Sequence, residues 1–277
     1  MALSITILTD NQVYRGEGLL AEHGLSLLVE TEGHKLLFDS GQSEVCLKNA
    51  ARLGADVGAL RTIVLSHGHY DHGGGLPALL DQALRVEVIA HPGAFAAKYA
   101  RRPGQEDRHI GLTYAPEDLA RRGAQVRLEP QPQEVGRGLF TTGFIPRVTD
   151  FEETESDFWV QADGEWQPDH LEDDQAVVVC TVEGLVILLG CAHAGLINTL
   201  RYAMKLTACE RIRTVVGGLH LASATPERFE HTIAALREMG VGQVVACHCT
   251  GFEARMRLHS ALGERFVNGA VGLRLTF

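Results

Sequence analysis

Apolar and polar positions along the chain fall into short blocks that switch between two periods. β-Branched or leucine-rich runs of strand length occupy 5–8, 25–30, 35–38, 61–65, 86–90, 126–128, 139–142, 176–181, 185–189, 214–216, 243–247 and 273–277. Runs like these, bounded by turn residues, predict strands, and the wholly apolar ones predict strands covered on both faces. Helical spacing predicts helices over 43–53, 94–99, 195–206, 226–239 and 252–262, and a short one from Pro116 to Gly123. Gly54 stops the first of these, and Pro116 and Pro226 open theirs. Glu32-Gly33-His34 and Val182-Glu183-Gly184 each predict a hairpin. Strands and helices thus alternate twice, each set led by a hairpin. That order predicts two mixed sheets packed face to face with helices on both outer faces, an α+β sandwich of αββα type. No low-complexity linker interrupts it, so a single domain over 1–277 is expected.

Two stretches break the rhythm. Residues 101–113 read as a polar, irregular loop in which Arg101, Arg102, Arg108 and His109 form a candidate lid or substrate clamp. Residues 151–168 hold both tryptophans, begin within the acidic stretch 150–155, and read as a long excursion of the functional or mobile kind.

The chemistry concentrates just after the run ending at Leu65, in Ser66-His67-Gly68-His69-Tyr70-Asp71-His72-Gly73-Gly74-Gly75. Neutral imidazole and carboxylate suit zinc, iron and manganese. In an extended segment residues two apart point the same way, so His67 and His69 can share one ion. Asp71 and His72 lie where the chain bends and can face a second ion. Two ions bridging a water lower its pKa and supply a nucleophile near neutral pH. Three further histidines, His193, His220 and His248, each follow a predicted strand, and strand ends of such sheets converge on one rim. His91 also ends a predicted strand on that rim.

The motif His67-x-His69-x-Asp71-His72 resembles the signature of the metallo-β-lactamase-fold hydrolases, which include glyoxalase II, ribonuclease Z and the lactamases. The resemblance extends through Thr9-Asp10-Asn11, Phe38-Asp39-Ser40-Gly41, Gly190-Cys191-Ala192-His193, Gly217-Gly218-Leu219-His220 and His248-Cys249-Thr250-Gly251. These blocks look like a subgroup whose members are labelled as similar to the dihydropterin–ribofuranosylaminobenzene phosphate synthase of methanopterin biosynthesis. The family implies an αββα sandwich, a metal site, and an Asp-x-Gly segment at Asp39 that packs beneath that site.

Two departures complicate the ligand set. The family's bridging aspartate after a strand-end glycine is replaced by Cys191, whose thiolate can stand in as a soft ligand. The histidine expected before the 176–181 strand is absent, and Asp173-Asp174-Gln175 stand there, with His170 upstream. The resulting assignment puts His67, His69 and His193 on one ion and Asp71, His72 and His248 on the other. Asp71 orients the attacking water. His220 acts as a general acid or oxyanion donor, as a comparable histidine does in ribonuclease Z-like relatives. The swap, His220 as ligand with His248 behind it, stays open. His23, Arg147, Asp174 and Cys191 are expected around the ligands or the substrate.

Composition narrows the partners. With 45% hydrophobic and 22% charged residues the chain has the balance of a globular protein with a sizeable core. A net charge of −10 argues against nucleic acid or an anionic membrane as the main partner and leaves a small anionic metabolite. Neither a signal-peptide pattern nor an apolar run of about eighteen residues is evident. Six cysteines are too few for a disulfide scaffold, so the cytoplasm is the expected compartment. Cys247 and Cys249 read as flankers of His248. The expectation is a dinuclear metallohydrolase using metal-bound hydroxide on an ester, thioester or phosphodiester, with zinc the leading metal and iron or manganese the alternatives. Two other readings compete: a synthase-like condensation in which the ions bind a diphosphate, and a metal- or ligand-binding protein with little turnover.

Overall fold

The structure is a computed structural model that describes residues 2–14, 16, 18–82, 85–153 and 157–277. Strand β1 (Leu3–Thr9) and the expected hairpin β2 (Ser26–Thr31) and β3 (His34–Phe38) run antiparallel. Helix α1 (Val45–Arg52) returns the chain to β4 (Thr62–Val64), parallel to β3, and the histidine-rich turn follows. Two short helices, α2 (Tyr70–Gly73) and α3 (Leu76–Leu80), lead to β5 (Glu87–Ala90). Then come β6 (Ala97–Ala100), β7 (Arg108–His109), α4 (Pro116–Arg121), β8 (Gln125–Leu128), β9 (Gln133–Gly136) and β10 (Leu139–Thr141). The hairpin β11 (Phe158–Ala162) and β12 (Glu165–Pro168) precedes a second one, β13 (Ala176–Thr181) and β14 (Gly184–Leu189). The chain closes with α5 (Leu196–Thr207), β15 (Ile212–Gly218), α6 (Pro226–Glu238), β16 (Gln243–Cys247), α7 (Phe252–Leu262), β17 (Phe266–Asn268) and β18 (Arg274–Thr276).

Two seven-stranded sheets result, ordered β18-β1-β2-β3-β4-β5-β8 and β17-β16-β15-β14-β13-β10-β9. Ile5, Leu27, Phe38 and Val64 of the first meet Val177, Val179, Leu188 and Val245 of the second in one shared core. The outer face of the first sheet is covered by Cys46 and Ala50 of α1 and Leu76, Leu79 and Leu80 of α3. The second is covered by α5, α6 and α7 through Leu196, Leu200, Phe229, Ile233, Leu236 and Leu258. Each such fully buried aliphatic side chain contributes about 1.5–3 kcal/mol. This is the αββα sandwich that the periodicity predicts.

The expectation of only two sheets needs correction, because β12-β11-β6-β7 forms a third, four-stranded sheet. Residues 94–99 are accordingly not helical: a single 3-10 turn, Pro92–Phe95, gives way to β6. Ladder pairing of Ala97–Ala100 with β11 overrides the helix propensity of its alanines. The excursion at 151–168 supplies β11 and β12, while Thr154 and Glu155 of its acidic stretch lie outside the described residues. Strands β9 and β17 were not expected, being short, edge-located and of mixed polarity.

Candidate metal centre

The parallel strands β4, β14, β15 and β16 end on one rim, and the loops that follow carry the ligand candidates. The turn after β4 is fixed by close packing. A side chain at Gly68 would place its Cβ 1.9 Å from the Ala94 carbonyl oxygen, so only glycine fits between His67 and His69. Likewise a Cβ on Gly190 would lie 2.1 Å from Ser66 Oγ. Four non-glycine residues at the site, Asp39, Ala192, His220 and His248, hold positive φ of 60, 57, 48 and 46°. Strain of this kind gathers where function requires a particular direction of approach.

The six assigned ligands assemble as two sets. Donor atoms of His67, His69 and His193 lie within 4.8 Å of one another, with His67 Nε2 2.9 Å from His69 Nδ1. In the second set, Asp71 Oδ2 is 3.2 Å from His248 Nε2 and 3.9 Å from His72 Nε2, and the two imidazole nitrogens are 3.2 Å apart. Cys191 Sγ sits 3.2 Å from His72 Nε2, at the place of the missing aspartate.

The surrounding hydrogen bonds decide what these atoms present. His72 Nδ1 is 2.7 Å from Asp39 Oδ2, a carboxylate that can only accept, so Nδ1 carries the proton. Ser66 Oγ donates to the same carboxylate oxygen at 2.7 Å and therefore accepts from His67 Nδ1 at 2.9 Å. Asn11 Oδ1 accepts from the Gly24 N–H and, at 2.9 Å, from His248 Nδ1. His67 and His248 consequently turn an Nε2 lone pair inward, and His72 turns its Nε2 the same way, with a lone pair free for an ion once the Nε2 proton leaves. His69 Nε2 and His193 Nε2 are buried with no hydrogen-bond partner among the described residues. Converging imidazole lone pairs fit divalent cations.

Electrostatics agree with the division into two sets. Burial, reinforced by neighbouring imidazoles, holds His67 and His193 well below the usual histidine range, and burial takes His69 down to about 3. These three stay neutral, the form that binds metal. At His72 burial opposes charge, but the carboxylates of Asp39 and Asp71 outweigh it and push the imidazole up to about 9. The field at the second set therefore favours a cation. Burial pulls Asp71 up, yet His72, His23 and His248 together hold it well below the carboxylate range.

His220 stands beside the first set, its ring 4.4 Å from that of His193, and it lines the open cavity with Cys191 and Cys249. That cavity measures about 1040 Å³. His23 Nε2 reaches Asp71 Oδ2 at 3.1 Å. Arg147 and Asp174 are not on the cavity. Arg147 donates to the carbonyl oxygens of His170 and His193, and Asp174 Oδ2 accepts the Ala194 N–H at 2.7 Å. Both hold the His193 loop from behind, which leaves neither side chain within reach of a substrate.

Of the proposed clamp, Arg102 and Arg108 line the cavity. Arg101 instead pairs with Asp107 and lies 4.0 Å over the Trp166 ring, and His109 packs edge-on to Tyr99. His91 accepts the Gly93 N–H through its own ring nitrogen and stays off the cavity. Sequence reasoning missed Cys249, whose sulfur joins Cys191 and His248 in a further donor group, and Phe158, whose ring lies 5.3 and 5.4 Å from those of His69 and His193. The alternation of β16 continues one residue too far if extrapolated: a 3-10 turn at His248–Thr250 sends Cys247 to the core and Cys249 to the cavity.

Comparison with known proteins gives the same family. A profile described as the Metallo-beta-lactamase superfamily matches residues 20–223. An uncharacterized protein of Methanocaldococcus jannaschii is 32% identical over 97% of this chain and 98% of its own. The 7,8-dihydropterin-6-methyl-4-(beta-D-ribofuranosyl)-aminobenzene-5'-phosphate synthase of the same organism is 30% identical over 89% of this chain and 87% of its own. Among solved structures, Tm1679, described as a metal-dependent hydrolase of the beta-lactamase superfamily, superposes with a TM-score of 0.86 at 33% identity, covering 99% of this chain and 98% of that one. With its motif, its sandwich and its two donor sets, this chain belongs to the metallo-beta-lactamase superfamily.

Proposed function

We propose that the protein, acting as one domain, is a dinuclear metal-dependent hydrolase of an ester, thioester or phosphodiester in a small anionic metabolite. The observation that carries this reading is the pair His72 Nε2 and His248 Nε2, facing each other at 3.2 Å beside Asp71, with the His67–His69–His193 set adjoining. Bound there, two divalent ions, zinc before iron or manganese, would supply a deprotonated water near neutral pH and stabilise charge on the substrate oxygen.

The chain's own residues provide the rest. Asp71, held between His23 and His248, orients the attacking water. His220, on the cavity wall, delivers a proton to the leaving group. Arg108 and Arg228 line the same cavity with no ion pair among the described residues, and their guanidinium groups suit an anionic substrate. Cavities of about 300–1,000 Å³ accept metabolite-sized ligands. We place the enzyme in the cytoplasm, with neither nucleic acid nor an anionic membrane as main partner, a reading supported by the net charge of −10 and the sparse cysteines of the chain.

The named synthase among the relatives favours a second reading, in which the ions hold a diphosphate and an amine replaces water as nucleophile. The deciding experiment is elemental analysis of anaerobically purified protein beside the double variant His69→Ala, His72→Ala, followed by phosphodiester and thioester probes. Two equivalents of metal, lost in the variant, with probe hydrolysis support the hydrolase. Metal without hydrolysis favours the condensation, and no metal in either protein leaves only a binding role.

A further inference from the structure

Behind the metal turn lies a charged cluster that none of the assigned roles uses. Lys98, on β6 of the third sheet, is only 2% exposed. Its Nζ donates to Asp169 Oδ2 at 2.7 Å and to Asp173 Oδ1 at 2.9 Å. The second oxygen of Asp173 accepts the Gly68 N–H at 2.8 Å, the peptide between His67 and His69. The backbone of β6 supports the same turn from its other side. Lys98 O accepts from Ile110 N, Ile110 O accepts from Tyr70 N, and His69 bridges Gly111. Asp169 is bound in turn, its Oδ1 accepting the Leu171 N–H at 2.8 Å.

A buried ammonium is costly unless it is paired and hydrogen-bonded. A cation placed here, one carboxylate away from a ligand-bearing peptide, therefore fixes that carboxylate in one orientation. β6 also pairs with β11, where Phe158 opposes Ala100. Phe158 forms cavity wall, so the wall and the first ligand set are tied to one strand.

We propose that Lys98 is a positioning residue which, through Asp173, sets the direction in which His67 and His69 present their nitrogens to an ion. The cluster is a built-in reference between the substrate wall and the first metal position. This inference rests on the two-ion reading above, and its test does not depend on turnover.

The experiment is competition with a chromophoric chelator on zinc-loaded wild type, Lys98→Met and Asp173→Ala. Asp173→Ala leaves Lys98 its second carboxylate and so strands no charge, which keeps the test available if Lys98→Met fails to fold. The expected result is one equivalent weakened about 10–100-fold, the scale for loss of a group that orients a ligand, with the other equivalent within about twofold. The cobalt(II) spectrum of the first position should shift as well. Affinity and spectrum unchanged in a folded variant, with only thermal stability lowered, would overturn the proposal and leave the cluster structural. No saturable zinc uptake by the wild type would overturn both this inference and the two-ion reading.

Discussion

His72 Nδ1 and Asp39 Oδ2 lie 2.7 Å apart, both fully buried, and this contact ties a central imidazole of the site to the end of β3. Asp39 also accepts the Ser66 N–H and Oγ–H, so a single carboxylate fixes the tautomers of His67 and His72 together. It links the two donor sets from underneath.

Replacing Asp39 with Asn should uncouple them. An amide can accept with one oxygen only, so either Ser66 or His72 loses its partner. Metal affinity is expected to fall about 10–100-fold, measured by chelator competition. An unchanged affinity would show that the tautomers are set elsewhere.

Cys191 stands where the family carries a carboxylate, 3.2 Å from His72 Nε2. The cobalt(II)-loaded protein should show a thiolate-to-cobalt charge-transfer band that Cys191→Ser removes and Cys249→Ser keeps. A band surviving in the Cys191 variant would move the thiolate ligand to Cys249.

Gly68 leaves no room for a methyl group, since its Cβ would meet the Ala94 carbonyl at 1.9 Å. Gly68→Ala should therefore displace the turn and cost about 1–3 kcal/mol or more, the range for overpacked sites. Chemical denaturation would read the loss, and metal content should fall with it. A variant of wild-type stability and metal content would mean that the Ala94 segment yields.

Asp174 is pushed up to about 7 by burial, against an ordinary value of 3.8. The folded chain then holds this proton more tightly than the unfolded chain does. The associated stability is present at low pH and is lost as pH rises from 3.8 through about 7. Asp174→Asn keeps an acceptor for the Ala194 N–H and removes the titration. Its melting temperature under chelator should gain on the wild type between pH 5 and pH 8. A difference independent of pH would show that Asp174 is ionised throughout.

What the sequence determined by itself is the layered fold and the gathering of the six ligand candidates on one rim. Both are local signals. Strand runs such as 176–181 and 185–189 state their own burial, and His67-x-His69-x-Asp71-His72 fixes its geometry within six residues. His193, His220 and His248 were legible because each follows a strand of one parallel ladder, β14, β15 or β16. Tertiary structure alone decided the third sheet, since Ala97–Ala100 looks helical until Phe158–Ala162, far along the chain, pairs with it, the Trp159–Tyr99 and Phe158–Ala100 registers fixing the strand. It decided, too, that Arg147 and Asp174 serve the His193 loop and not the substrate. And it alone brought Lys98 to Asp173, 75 residues on, because a buried charge is placed by its partners and no spacing along the chain announces where those partners will be.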